Sequence, residues 1–226
     1  MIPSESVINK CYEFINLKLI NMQLTKEAEL QTGDLLLFRG NAWVSKLLEY
    51  VGKSKYSHVG IVIKNPSFID PDLEDGLYVW DSSWGSTPDS EDHVYRYGIQ
   101  MHKLDDIIEL YPKNSIYVRK VTAERDEEFY KKFKAIHDIV YRKPYDLHIM
   151  DWIAALENMK SPLAINSMWK NTDHFWCSAF ASFVYYKLGW ILEVNWTIIS
   201  PRELSTECQD GLITFVCEIT HEDLLV

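Results

Sequence analysis

The stretch KYSHVGIVI, residues 55–63, governs how the rest of the chain is read. Its run of Val59, Gly60, Ile61, Val62 and Ile63 is apolar and β-branched, which marks a buried strand. His58 stands at the mouth of that strand. Alternate residues of a strand share a face, so His58, Gly60 and Val62 point one way and Val59, Ile61 and Ile63 the other. A polar ring in this position is either a satisfied structural residue or half of a catalytic pair whose partner lies elsewhere in the chain. Gly60, beside the imidazole on the same face, leaves room for a helix end or a substrate to approach.

Upstream, QTGDLLLF is a turn entering a strand at residues 34–38, and AWVSKLLEYV is a short helix with Trp43, Leu47 and Val51 along one side. Downstream, KNPSFIDPDLEDG is a turn or loop by its Pro, Asp and Gly content. LYVWDSSW (77–84) resumes strand character, and the polar run to about residue 95 reads as an exposed loop. GIQMHKL and SIYVRKV are further strands, the first leading into an acidic turn, DDIIEL. In AERDEEFYKKFKAIHDIVY, early acids and later lysines suit a helix dipole, and Phe129, Phe133, Ile136 and Val140 mark its buried side. A less regular helical region surrounds IMDWIAALENM. CSAFASFVYYKLGW is a helix closed by Gly189, and TFVCEI is the last strand. Val7, Cys11, Phe14, Ile15 and Leu19 predict one or two opening helices. With no repeat or linker, the expected class is α+β in a single domain: a helical extension over residues 1–30 and the main unit over 31–226.

A chain of 226 residues can bury one substantial core. The net charge of −10 argues against nonspecific nucleic-acid binding, which needs basic surface. No apolar run is long enough to span a bilayer, although peripheral membrane contact stays open. The N-terminus lacks the pattern of a secretory signal. Cys11, Cys177, Cys208 and Cys217 form no CxxC pair, so a reducing, cytoplasmic setting is expected. No Cys or His spacing resembles a zinc site, and neither a metal nor another cofactor is expected.

Cys177 opens the strong helix, with Thr172 and Asp173 upstream as candidate caps. A thiol in the first helical turn lies near the positive end of the dipole, which favours thiolate. Backbone N–H groups there can also stabilise an oxyanion. His58 is the best-placed base, His174 the competitor in sequence, and Asp81 on the next strand the natural acceptor to orient the imidazole. Each residue taken singly has a plain alternative: Cys177 as inert core, His58 as a satisfied core residue, Asp81 as a turn cap or surface acid. Cys11, Cys208 and Cys217 read as packing residues.

In order and spacing these segments resemble the circularly permuted NlpC-type papain-like cysteine hydrolase superfamily, especially its YiiX-like hydrolases and their relatives in large DNA viruses. The carrying residues are Gly33, Asp34 and Phe38 of the opening strand, Ser57 through Ile61 around the histidine, Tyr145 and Asp146, Cys177 and Ser178, and the ISPRELS segment. Asp81 stands where a glutamate is commoner, and Ala179-Phe180 replaces a frequent Glu-Leu after the Cys-Ser pair. The resemblance implies a permuted papain-like fold, with a small antiparallel sheet packed against helices and the nucleophile at a helix N-terminus. It also implies a thiol hydrolase working through a thioester, with Cys177 as nucleophile, His58 as base and Asp81 orienting it. Tyr145 and Ser178 are candidates for substrate binding or oxyanion support. The substrate would be a peptide, another amide or an acyl ester. A lipid acyltransferase or phospholipase-like activity is the first alternative. A non-catalytic protein-binding module on the same fold, suited by the acidic DPDLEDG and TPDSEDH loops, is the second.

Overall fold

Gly33 and Asp34 begin the sheet, and their surroundings account for both residue types. The computed structural model describes residues 23–40, 54–85, 87–145, 175–196, 199–208 and 211–226. Gly33 turns with φ +97°, and a Cβ there would sit 2.4 Å from the Trp190 ring, so only glycine fits. Asp34 is buried; it accepts from the amides of Gln31 and Val121, each at 2.9 Å, and from Arg125 Nη2 at 3.3 Å. Burial nevertheless holds its carboxyl above the usual carboxylate range.

The strands are β1 (Leu35–Phe38), β2 (His58–Lys64), β3 (Leu77–Trp84), β4 (Tyr97–Lys103), β5 (Ile116–Arg119), β6 (Val121–Thr122), β7 (Glu218–Ile219) and β8 (Asp223–Leu224). Six of them form an antiparallel sheet in the order β4-β3-β2-β1-β5-β8, and β6 pairs with β7 separately. The helices are α1 (Leu104–Leu110), α2 (Glu127–Val140) and α3 (Cys177–Leu188). Asp126 caps α2 by accepting from the Phe129 amide at 2.8 Å, and Glu127 and Glu128 follow in the dipole's favoured position. Gly189, at φ 81°, ends α3. The fold is therefore α+β.

Both sheet faces are covered. On one, Val59, Ile61, Ile63 and Trp80 pack with Phe133 of α2 and Phe180 of α3. On the other, Leu36, Phe38, Val62 and Val79 pack with Leu104 and Ile107 of α1 and with Leu30. Strand alternation in β2 and β3 thus places His58 and Asp81 on the α1 face, while α3 approaches from the opposite face.

Four local expectations change. DDIIEL is part of helix α1, not a turn: Leu104 and Ile107 are spaced to cover the sheet, and Asp105 and Asp106 occupy the first turn. The 85–95 loop is not simply exposed, because Asp89 is fully buried and accepts from the amides of Glu91 and Met101. In TFVCEI only Glu218–Ile219 is strand, and β8 provides the last strand instead, pairing with β5. The space at Gly60 is taken by the neighbouring strand, since a Cβ there would lie 2.6 Å from Val79 Cγ1. Residues 23–28 are helical. Leu30 is buried, and Lys64 Nζ donates to the carbonyls of Ala28 and Leu30. The segments AWVSKLLEYV and IMDWIAALENM, most of the opening helices and His174 lie outside the described residues.

Candidate Cys-His-Asp site

The way β2 and β3 part explains how side chains from opposite faces can meet. The β2–β3 ladder stops at Ile61↔Trp80, whereas β3 stays paired with β4 out to Trp84↔Tyr97. Backbone pairing with β3 thus ends short of His58, at the end of β2 where the imidazole meets both Asp81 and Cys177. His58 Nε2 lies 2.7 Å from Asp81 Oδ2. Cys177 lies close enough to the His58 side chain to influence its titration. With Nε2 engaged by the carboxylate, Nδ1 is the nitrogen left for the thiol. All three groups are largely screened from solvent: the His58 side chain is 16% exposed and that of Asp81 5%, and Cys177 is 6% exposed.

The chain is led to Cys177 by backbone contacts at the end of β4. Gly98, at φ +147°, would carry a Cβ only 2.3 Å from the Lys143 carbonyl, so its lack of a side chain lets residues 143–145 lie against the strand. Ile99 N–H donates to Lys143 O at 2.9 Å, and Tyr145 N–H to Tyr97 O at 3.1 Å. Tyr145 bridges in parallel to Phe175, whose N–H donates to Pro144 O at 3.1 Å. Ser82 Oγ then donates to the Phe175 carbonyl at 2.6 Å. On the other side, Trp176 Nε1 and Ser178 Oγ both donate to Ile199 O, at 3.1 and 2.6 Å. The start of α3 is held from two directions. Its N-cap is Trp176, with no side-chain cap bond, so the cap does not fall at Thr172 or Asp173, which lie outside the described residues. The ISPRELS segment presents Ile199 from a turn in which Ser200 N–H donates to Glu203 Oε2 at 2.9 Å.

Burial acts against a charged His58, but the electrostatic influence of Cys177 and Tyr111 and the hydrogen bond to Asp81 outweigh it. The imidazole pKa therefore stands well above its ordinary value. Tyr111, missed by the sequence reading, follows α1 directly. Its ring packs on Phe38 at 4.8 Å, and Phe38 packs on His58 at 5.4 Å. Its hydroxyl is pushed up by burial, lowered by His58 and raised again by Asp81 and Cys177. The only signal of Tyr111 in the sequence is an aromatic residue between an acidic run and Pro112.

Cys177, His58 and Asp81 are thus brought together. Ser178 is buried, with its proton committed to Ile199, and the Tyr145 ring lies edge-on to Trp84 at 6.1 Å. Asp146 lies outside the described residues. Cys208 and Cys217 are free thiols. Among the described residues no group of three or more His, Cys, Asp or Glu is placed to hold a metal ion, and no helix is long and apolar enough to cross a membrane.

The arrangement is that of an α+β protein with a cysteine, a histidine and a carboxylate joined at one end of an antiparallel sheet. No family model matches the chain, and no curated protein does. Among solved structures it is similar to the metalloprotein YiiX from Escherichia coli O157:H7, with 20% identity and a TM-score of 0.45 over 70% of this chain and 66% of that one. The chain therefore spans just under two-thirds of YiiX.

Proposed function

We propose that this chain is a thiol hydrolase that opens an amide, peptide or acyl-ester bond through a thioester on Cys177. The observation that carries the reading is the placement of His58 between two partners, its Nε2 on Asp81 Oδ2 and Cys177 close enough to raise its pKa. In this reading the resting pair is a Cys177 thiolate facing a His58 imidazolium. The thiolate attacks the substrate carbonyl carbon, forming a C–S bond and an oxyanion. The first ladder bond of α3 runs from Phe180 N–H to Trp176 O, so the amides of the first turn precede the ladder and are the donors for that oxyanion. His58 gives its proton to the departing amine or alkoxide as the C–N or C–O bond breaks. The neutral imidazole next takes a proton from water. The resulting hydroxide displaces the cysteine from the thioester, and the released thiolate faces imidazolium again. Asp81 keeps Nε2–H fixed throughout. An amine or alcohol replacing water would give acyl transfer by the same first half-reaction.

In this reading residues 31–226 are the catalytic unit and residues 1–30 an extension of it. The test is iodoacetamide alkylation across pH, with the modified sites identified by mass spectrometry. Cys177 is expected to react faster than Cys11, Cys208 and Cys217 at mildly acidic pH, and His58→Ala to slow it. Equal reactivity of all four thiols, or indifference to His58→Ala, would sink the proposal. A responsive Cys177 leads directly to screening of amide and acyl-ester libraries.

A further inference from the structure

Behind Asp81 lies a second set of polar side chains that the thiol chemistry does not itself use. Gln100 stands directly across from Asp81 in the β3–β4 ladder and is 1% exposed. Its Nε2 donates to Ser83 Oγ at 2.7 Å, and Ser83 Oγ donates to Asp81 Oδ1 at 2.8 Å. The other carboxylate oxygen, Oδ2, is the one bound to His58. Asp81 is therefore held at both ends, by serine on one side and imidazole on the other.

The direction of this chain is fixed by what each group can supply. Gln100 Oε1 is buried without a partner. Turning the amide over would satisfy Oε1 only by taking the single proton of Ser83. Asp81 Oδ1 would then lose its donor, and the carboxyl group would be held only by His58. With the amide as it stands, Ser83 has one donor available and one acceptor to give it to.

We infer that Ser83 and Gln100 are positioning residues for the candidate site: Gln100 orients the Ser83 hydroxyl, which clamps Asp81 so that its second oxygen stays on His58 Nε2–H. This rests on the Cys177–His58 reading above and extends it by two residues that touch neither thiol nor substrate. Removing the clamp frees the carboxylate to rotate about its side chain, and the imidazole loses its fixed orientation. Supporting groups of this kind govern the groups they orient even though they take no part in bond making.

The experiment follows two signals in wild type, Ser83→Ala, Ser83→Thr, Gln100→Leu and the Ser83→Ala/Gln100→Leu pair. The first is the downfield proton resonance of His58 Nε2–H, recorded also on a Cys177→Ala background. The second is the alkylation rate of Cys177. Ser83→Ala is expected to broaden or shift the resonance and slow alkylation by roughly tenfold. Ser83→Thr, which keeps the hydroxyl, should restore both, and Gln100→Leu should fall between. Because Gln100 acts through Ser83, the double variant should be no slower than Ser83→Ala alone. Unchanged signals in Ser83→Ala, no rescue by threonine in a variant that still unfolds cooperatively, or additive losses in the double variant would each overturn the inference. A resonance that follows Ser83 while alkylation ignores His58→Ala would uphold the clamp and reject the hydrolase. The two failures are therefore distinguishable.

Discussion

At the scale of single residues, the protonation of His58 is a property of its partners. Cys177→Ala removes the partner that leads the upward influences on the imidazole, so its titration by NMR should move down toward the ordinary histidine value. The sign for stability follows from the raised folded value. The favourable contribution of His58 is fully present below the unfolded pKa and is lost as pH rises through the folded one. In Cys177→Ala that alkaline loss should shrink, as read from denaturation midpoints across pH. Gly60→Ala pushes a Cβ to 2.6 Å from Val79 Cγ1 inside a packed face and should destabilise by about 1–3 kcal/mol in a denaturant titration. His58 was legible in the sequence because a polar ring interrupts a β-branched run, and Cys177 because it begins a helix with a clear glycine stop. Ser83, Gln100 and Tyr111 were not. Their placement depends on cross-strand register and on the path of the chain after α1, and neither leaves a local pattern.

At the scale of elements, the start of α3 is set by contacts from outside the helix. Ser82→Ala would orphan the Phe175 carbonyl and should cost about 1–3 kcal/mol, with slower alkylation of Cys177 as its second sign. Ser182, further along the same helix, is the control. Its Oγ is fully buried with no hydrogen-bond partner, so Ser182→Ala should leave thermal stability unchanged or raise it. Strongly periodic elements such as α2 were readable from their apolar spacing and charge order. The short helix α1 reads as a turn in the sequence, because two acids and a single pair of buried apolar residues resemble a loop until the sheet they cover is known. TFVCEI failed in the opposite direction: its apolar pattern serves packing, while the sheet edge is completed by Asp223–Leu224.

At the scale of the whole molecule, both faces of one sheet must be covered, and the residues just before β1 take part. Leu30 is fully buried with Leu36, Val62 and Leu104, so Leu30→Ala should cost about 2–5 kcal/mol and lower the midpoint of a single cooperative unfolding transition. A separate low-temperature transition in that variant would mean that residues 23–30 fold apart from the sheet. The α+β class was legible from the alternation of strand and helix patterns. The covering of the second face was not, since it uses a short helix and the residues just before β1.

Strand β3 also works as a ruler. Asp81 and Ser82 are neighbours in sequence and leave the strand on opposite sides, one toward the imidazole and the other toward the backbone two residues before Cys177. Deleting one residue within β3 ahead of them would exchange their faces and remove both connections at once. The same deletion in the mostly exposed 70–76 loop would shorten a surface turn and leave the strand in register. A scan of single-residue deletions should therefore find tolerance in that loop and an abrupt loss of Cys177 reactivity from residue 77 onward.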